Sequence, residues 1–327
     1  MDSNGVTLGI APADLSKSGS KHLAEPRVFG GRILVVAFEG WNDAGEAASS
    51  AVRTLHDQLE VFALLTVDSE RYYDYQYTRP TVSFDDDGHR VLSWPTTTLF
   101  APLVPTPRGP SLADDATLSV SGSNVGNVYL LLGVEPSRNW QSFAVEVMDA
   151  ALAADIDAVV FMGALLADVP HTRPTTIHVS SENPTVRGQL DVERSQYEGP
   201  VGIISVLSQA AEGAGIPTVN MWASVPHYVQ HSPSPKATLA LIDRLEEIID
   251  VTIPRGSLVE DAAAWEESIN KLAGDDDDMA AYIATLEQAR DAVDSPRASG
   301  EAIAQEFERF LRRTDDDGNR SAENRGE

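Results

Sequence analysis

Six consecutive apolar residues, Ile33-Leu-Val-Val-Ala-Phe38, set the tightest limit on how this chain folds. A strand with one wet face alternates polar and apolar side chains. A run that is apolar at every position needs cover on both faces, as in a parallel sheet flanked by helices. Similar runs occupy Asn127–Gly133, Ala158–Gly163, Val201–Val206 and Thr218–Ala223, and each reads as a buried strand. Between runs the period changes. Ala44, Ala47, Ala48, Ala51, Val52, Leu55 and Leu59 recur at helical intervals over Asp43–Leu59, and Val61–Val67 reads as the next strand, completing a βαβ unit. Ser137 is placed to cap a helix over Asn139–Ala154. Arg79–Trp94 holds two alternating runs around Asp85-Asp-Asp-Gly88, a hairpin signal. Residues 95–127, rich in Pro, Ser, Gly and Thr, read as a long loop over a site. Alternation of this kind predicts an α/β fold, a three-layer α/β/α arrangement around a mostly parallel sheet.

After Ser234 the pattern turns all-helical. Ser234-Pro235 supplies a cap and a first-turn proline for a helix running to about Asp250, and Ser257-Leu-Val-Glu260 has the form of a capping box. Two more helices are expected near Asp278–Ala292 and Ser299–Arg313. The organisation expected is a flexible N-terminal arm over 1–28, an α/β/α domain over 29–235, a small helical C-terminal domain over 236–313 and a disordered tail over 314–327.

Charge narrows the function. The chain of 327 residues carries 24 Lys+Arg against 50 Asp+Glu, a net charge of −26, and −12 of it lies from Lys236 onward. Binding to a phosphate backbone or an anionic membrane needs a basic face, so neither nucleic acid nor membrane is expected as a partner. The apolar runs fall far short of the roughly 18 residues that span a bilayer, and the N-terminus lacks the basic start and apolar stretch of a secretion signal. With no cysteine there are no disulfides, thiolate metal sites or thiol nucleophiles, which favours the cytoplasm.

Ligands of open parallel sheets bind beyond the C-terminal strand ends. The loop after the first strand, Phe38-Glu-Gly-Trp-Asn-Asp-Ala-Gly45, offers Glu39, Gly40, Asn42 and Asp43. Backbone N–H groups there could hold an anion, or Asp43 could itself cap the next helix. The loop Gly133–Trp140 offers Glu135 and Arg138, as ligand contacts or as an ion pair fixing the loop. Asp168–Pro174 offers His171 for proton exchange and Arg173 for a carboxylate or phosphate, or both could close a turn or a subunit contact. His227 and His231 stand at i, i+4, but Tyr228 replaces the glutamate of a zincin motif and flanking prolines oppose a regular helix, so no metal is expected. No GxSxG, GxGxxG or GxxxxGK[ST] motif is present, and no cofactor is expected.

Four strings taken together resemble the proteasome assembly chaperone two family, in its actinobacterial branch: Ala37–Gly45, Gly133–Trp140, Val169–Pro174 and Trp222–Ala237. The resemblance covers about 30–250. It implies a fold similar to purine nucleoside phosphorylases and peptidyl hydrolases, a small helical C-terminal domain, and a homo-oligomer in the form of a trimer. It brings no catalytic residue. Some prokaryotic relatives carry an ATP-grasp label, for which this chain has no Gly-rich phosphate loop with basic partners. The function expected is a non-catalytic protein of assembly type that binds other protein chains. The alternative is a hydrolase- or phosphorylase-like enzyme, or a binder of a nucleoside, phosphate or carboxylate, using Glu39, Asn42, Asp43, Glu135, Arg138, His171 and Arg173.

Overall fold

The computed structural model describes residues 27–104, 125–229 and 233–294. The N-terminal arm up to residue 26, His231, the helix expected at Ser299–Arg313 and the tail at 314–327 lie outside the described residues.

The strands are β1 (Ile33–Glu39), β2 (Val61–Thr66), β3 (Thr81–Phe84), β4 (Arg90–Ser93), β5 (Thr97–Pro102), β6 (Val128–Val134), β7 (Ala158–Ala167), β8 (Ile177–Ser180) and β9 (Thr218–Pro226). The helices are α1 (Ala47–Gln58), the single turn α2 (Ser69–Tyr72), α3 (Trp140–Ala153), α4 (Pro184–Leu190), α5 (Ile203–Gly213), α6 (Pro235–Ile249), α7 (Leu258–Gly274) and α8 (Asp277–Asp294). Seven strands form one sheet in the order β2-β5-β6-β1-β7-β9-β8, while among the described residues β3 and β4 pair only with each other. The central strands β6, β1, β7 and β9 are parallel, and β5 and β8 run against them.

The apolar run of β1 explains the layering. Ile33, Val35 and Ala37 join the core beneath α1 and α6, and Leu34, Val36 and Phe38 join the core beneath α3 and α5. Each face of the strand thus has its own helical cover, so every position must be apolar. The fold is a three-layer α/β/α sandwich with further helices at its C-terminal side. Helix α6 buries Leu241, Ile242, Leu245 and Ile248 in the same core as α1. β2 runs in the direction of β1 but lies beyond β6 and β5, so the connection through α1 crosses two strands.

Four local expectations are corrected. Val201–Val206 is not a strand: Ile203 opens α5, whose buried Ile203, Ile204, Leu207 and Ala211 follow helical spacing. The stretch read as one long loop contains β5, which joins β2 to the sheet. Ser137 does not cap α3; Asn139 precedes that helix in a left-handed conformation with φ 57°. The Ser257 hydroxyl donates to Asp261 at 2.8 Å and makes no cap bond to the start of α7. Among the described residues no helix is long and apolar enough to cross a membrane.

Candidate functional site

Eight of the nine sequence-derived candidates fall into two groups at the C-terminal end of the sheet, and Arg138 stands apart from both. The first surrounds Asn42, which is 1% exposed. Its main-chain carbonyl accepts from the Ala164 N–H on β7 at 2.8 Å, and its side-chain amide donates to Glu135 Oε1 at 2.8 Å. The same Glu135 oxygen accepts from the Ile203 N–H at 2.8 Å. That N–H is one of the unsatisfied donors at the start of α5, and a carboxylate there also suits the positive end of the helix dipole. Gly202 allows this approach, because a Cβ there would stand 2.3 Å from Asn42 Oδ1. Three loops, after β1, after β6 and before α5, are joined at one point.

Asp43 works in the same way on α1. Its Oδ1 accepts from Ala48 N at 2.8 Å and Ser49 N at 3.1 Å. The carboxylate itself occupies these first-turn donors. Burial raises its pKa above the ordinary 3.8, opposed by bonds from Ser49 and Ala48 and by the charge of Arg53. Gly40, with φ 108°, makes the turn that carries the chain from β1 toward Asn42. Glu39 pairs with Arg53 of α1, a partner the sequence did not single out. Arg138 lies off this cluster, its guanidinium donating to the Glu70 carbonyl on the α2 turn.

The second group sits on the loops after β7 and β9, beside α7 and α8. His171 is 2% exposed. Its Nε2 stands 3.1 Å from Asn270 Oδ1, which can only accept, so Nε2 carries the proton. Nδ1 then accepts from the Tyr228 hydroxyl at 2.9 Å, and that hydroxyl oxygen accepts from the His171 main-chain N–H at 2.8 Å. Burial lowers the His171 pKa from 6.5, against the raising effects of Asn270 and Glu266. Lys236, in the first turn of α6, donates to the His171 carbonyl and pairs with Glu266 of α7, both at 2.5 Å. Arg173 binds Asp291 of α8 through two 2.8 Å bonds and Glu287 at 3.2 Å. His227 Nδ1 lies 3.1 Å from Asp168 Oδ1, and Tyr282 of α8 packs on its ring.

Chemically, both groups are locks. The described partners of Glu39, Asn42, Asp43, Glu135, His171 and Arg173 belong to the chain itself. The cavity lined by His171, Arg173, Lys236 and Trp265 measures about 10 Å³, room for roughly one water molecule. Arg138 and Arg173, expected to grip one anion, are bound to different elements, α2 and α8. The contacts of Arg173 had a faint signal in the sequence: Glu287 and Asp291 stand at i, i+4, one face of a helix, where two acids invite a cation. The link from Glu135 to the Ile203 N–H had none, because backbone donors have no sequence signature.

Comparison with known proteins agrees with this architecture. The PAC2 family model matches residues 37–273. A PAC2 family protein from Streptomyces avermitilis is 42% identical over 76% of this chain and 98% of its own, with a TM-score of 0.64. A Mycobacterium tuberculosis proteasome-assembly chaperone homologue is 39% identical over 77% of this chain and 99% of its own, with a TM-score of 0.63. A Corynebacterium glutamicum protein of unknown function, 24% identical over 80% of this chain and 91% of its own with a TM-score of 0.68, shares the fold. No curated protein matches. From the four strings to the sandwich they build, sequence and structure agree that the chain belongs to the PAC2 family.

Proposed function

We propose that this is a non-catalytic protein of assembly type, acting in the cytoplasm by binding other protein chains and associating with itself as a trimer. One observation carries the reading: at the strand ends, polar side chains turn inward to partners while large apolar ones turn outward. Trp41, 64% exposed, precedes Asn42; Leu165, exposed, follows Ala164; Val201, exposed, precedes Gly202. Asn42 meets both Ala164 and Gly202, so the three apolar side chains stand on segments that converge at Asn42. Exposed apolar groups clustered in this way mark a surface for macromolecules.

The relative named as a proteasome-assembly chaperone homologue suggests the partner class. The test mixes the full chain with unassembled α-type and β-type proteasome subunits from the same source organism and follows complexes by size-exclusion chromatography. The expected result is a stoichiometric complex that Trp41→Ser weakens at least tenfold. No complex with either subunit type, and no change in ring formation, would overturn the reading. The trimer is tested by light scattering on the isolated chain.

A further inference from the structure

The β3–β4 ribbon forms a sheet of its own, apart from the seven-stranded one. Two-stranded hairpins are barely stable in water without something to pack on. Here all eight strand residues are exposed. The two faces differ. Val82 lies opposite Leu92 and Phe84 opposite Arg90, so Val82, Leu92 and Phe84 share one face with Arg90 beside Phe84. The other face carries Thr81, Ser93, Ser83 and Val91. Phe84 is 70% exposed. At the base, Trp94 packs on Tyr75 with ring centroids 4.8 Å apart.

Resting on the trimer proposed above, we infer that this ribbon is where copies of the chain meet, the apolar faces of neighbouring ribbons turned toward a common axis. Charge selects a second copy as the occupant. The chain carries −26, so copies repel over most of their surface. The ribbon from Arg79 to Trp94 is close to neutral, with Arg79 and Arg90 against Asp85, Asp86 and Asp87. Among the described residues Arg79 and Arg90 have no ion pair or side-chain hydrogen bond, and neither does the Asp86 carboxylate. A second ribbon brings both missing signs at once, acids at its tip and arginines along its length. A partner of single charge would answer only one of them. The facing surfaces bury Val82, Phe84 and Leu92 of each copy and cover side chains that stand exposed in the single chain.

The chain has no cysteine, which makes a cross-linking test clean. Full-length Val82→Cys, oxidised at micromolar concentration, should form a disulfide-linked pair on a non-reducing gel. Asp149→Cys, on the exposed side of α3, should remain single. Light scattering should find the unmodified chain as a multimer and the double variant Phe84→Glu, Leu92→Glu as a folded monomer with an unchanged circular dichroism spectrum. A monomeric unmodified chain, a multimer that survives the double variant, or equal cross-linking at both cysteines would overturn the inference. The proteasome-subunit assay is read separately. A complex that forms while the ribbon variants stay multimeric leaves the assembly reading standing and removes the ribbon; no complex from a chain that cross-links through Val82→Cys does the reverse.

Discussion

Glu135 and Arg173 are both charged residues on loops that leave the same end of the same sheet, yet they bind in different directions. Glu135 takes its partners from the sandwich itself, the Asn42 amide and the Ile203 N–H. Arg173 takes its partners from α8, at Glu287 and Asp291. The first contact knots the sheet's own loops together and the second latches an appended helix. The difference shows in burial: Asn42 is inaccessible, whereas the Arg173 and Asp291 side chains are 33% and 55% exposed. A buried polar group without its partner bears the full cost of lost hydration, while an exposed ion pair is largely repaid by water. Residue type at a strand end therefore says little about role until the partner is known.

The strongest way to break the comparison is Glu135→Ala. It strands the Asn42 amide and the Ile203 N–H together, and a loss of about 2–3 kcal/mol is expected for buried donors left unpaired. Urea unfolding followed by circular dichroism reads it as a lower midpoint with an unchanged slope. Glu135→Gln keeps an acceptor oxygen and should recover about half. A loss below about 0.5 kcal/mol, within the range of ordinary surface changes, would mean that the knot contributes nothing.

Arg173→Ala should act locally and more weakly, by about 0.5–1 kcal/mol, because the pair is partly exposed. Hydrogen exchange should quicken in α8 and stay unchanged in α5. Faster exchange in both helices would show that the latch and the knot are one cooperative unit, contrary to the comparison.

What the sequence disclosed follows the same division. β1, β6, β7 and β9 were legible because burial on both faces forces a continuous apolar run, which few other structures need. Val201–Val206 has the same look and is the start of a helix, since over six residues a buried strand and a buried helix are equally apolar. The helix start is marked by the Glu135 carboxylate on the Ile203 N–H, from a residue 68 positions away in sequence. β5 was hidden in a stretch of Pro and Thr because Thr97 is buried and bonded rather than apolar, its hydroxyl donating to the Val134 carbonyl at 3.1 Å. At the candidate site the residues were legible and their partners were not. His171 and Arg173 were picked out by type, but Asn270, Glu287 and Asp291 come from helices about 100 residues later.

The two clusters also predict opposite responses to acid. Burial lowers the His171 pKa below 6.5, so the unfolded chain takes up its proton first as pH falls. The stability contributed by the neutral ring is complete above pH 6.5 and is lost as pH falls below it, toward the lower folded value. Exchange of α7 and α8 amides, corrected for intrinsic rate, should rise more between pH 7 and pH 5.5 in the unmodified chain than in His171→Gln. Equal rises would show that His171 does not couple to the seat of these helices.

Asp43 should give the smallest effect and the opposite sign. Burial raises its pKa above 3.8, so the folded chain holds this proton more tightly than the unfolded one. The ionised carboxylate then subtracts from stability at neutral pH, and the deficit is recovered as pH falls through the raised folded value toward 3.8. Asp43→Asn keeps an Oδ1 acceptor for Ala48 N and Ser49 N and removes the charge. Its stability at pH 7 should equal or exceed that of the unmodified chain, by less than about 1 kcal/mol, the scale of one hydrogen bond. The gap between the two should close toward pH 4. The opposing force is the positive end of α1, which favours a negative charge by about 0.3–1 kcal/mol, together with Arg53. A variant weaker by about 2 kcal/mol or more at pH 7 would mean that helix and arginine outweigh burial. Asp43 would then be a charged cap like Glu135 at α5, and both sheet-mouth acids would hold their helices by charge rather than by shape.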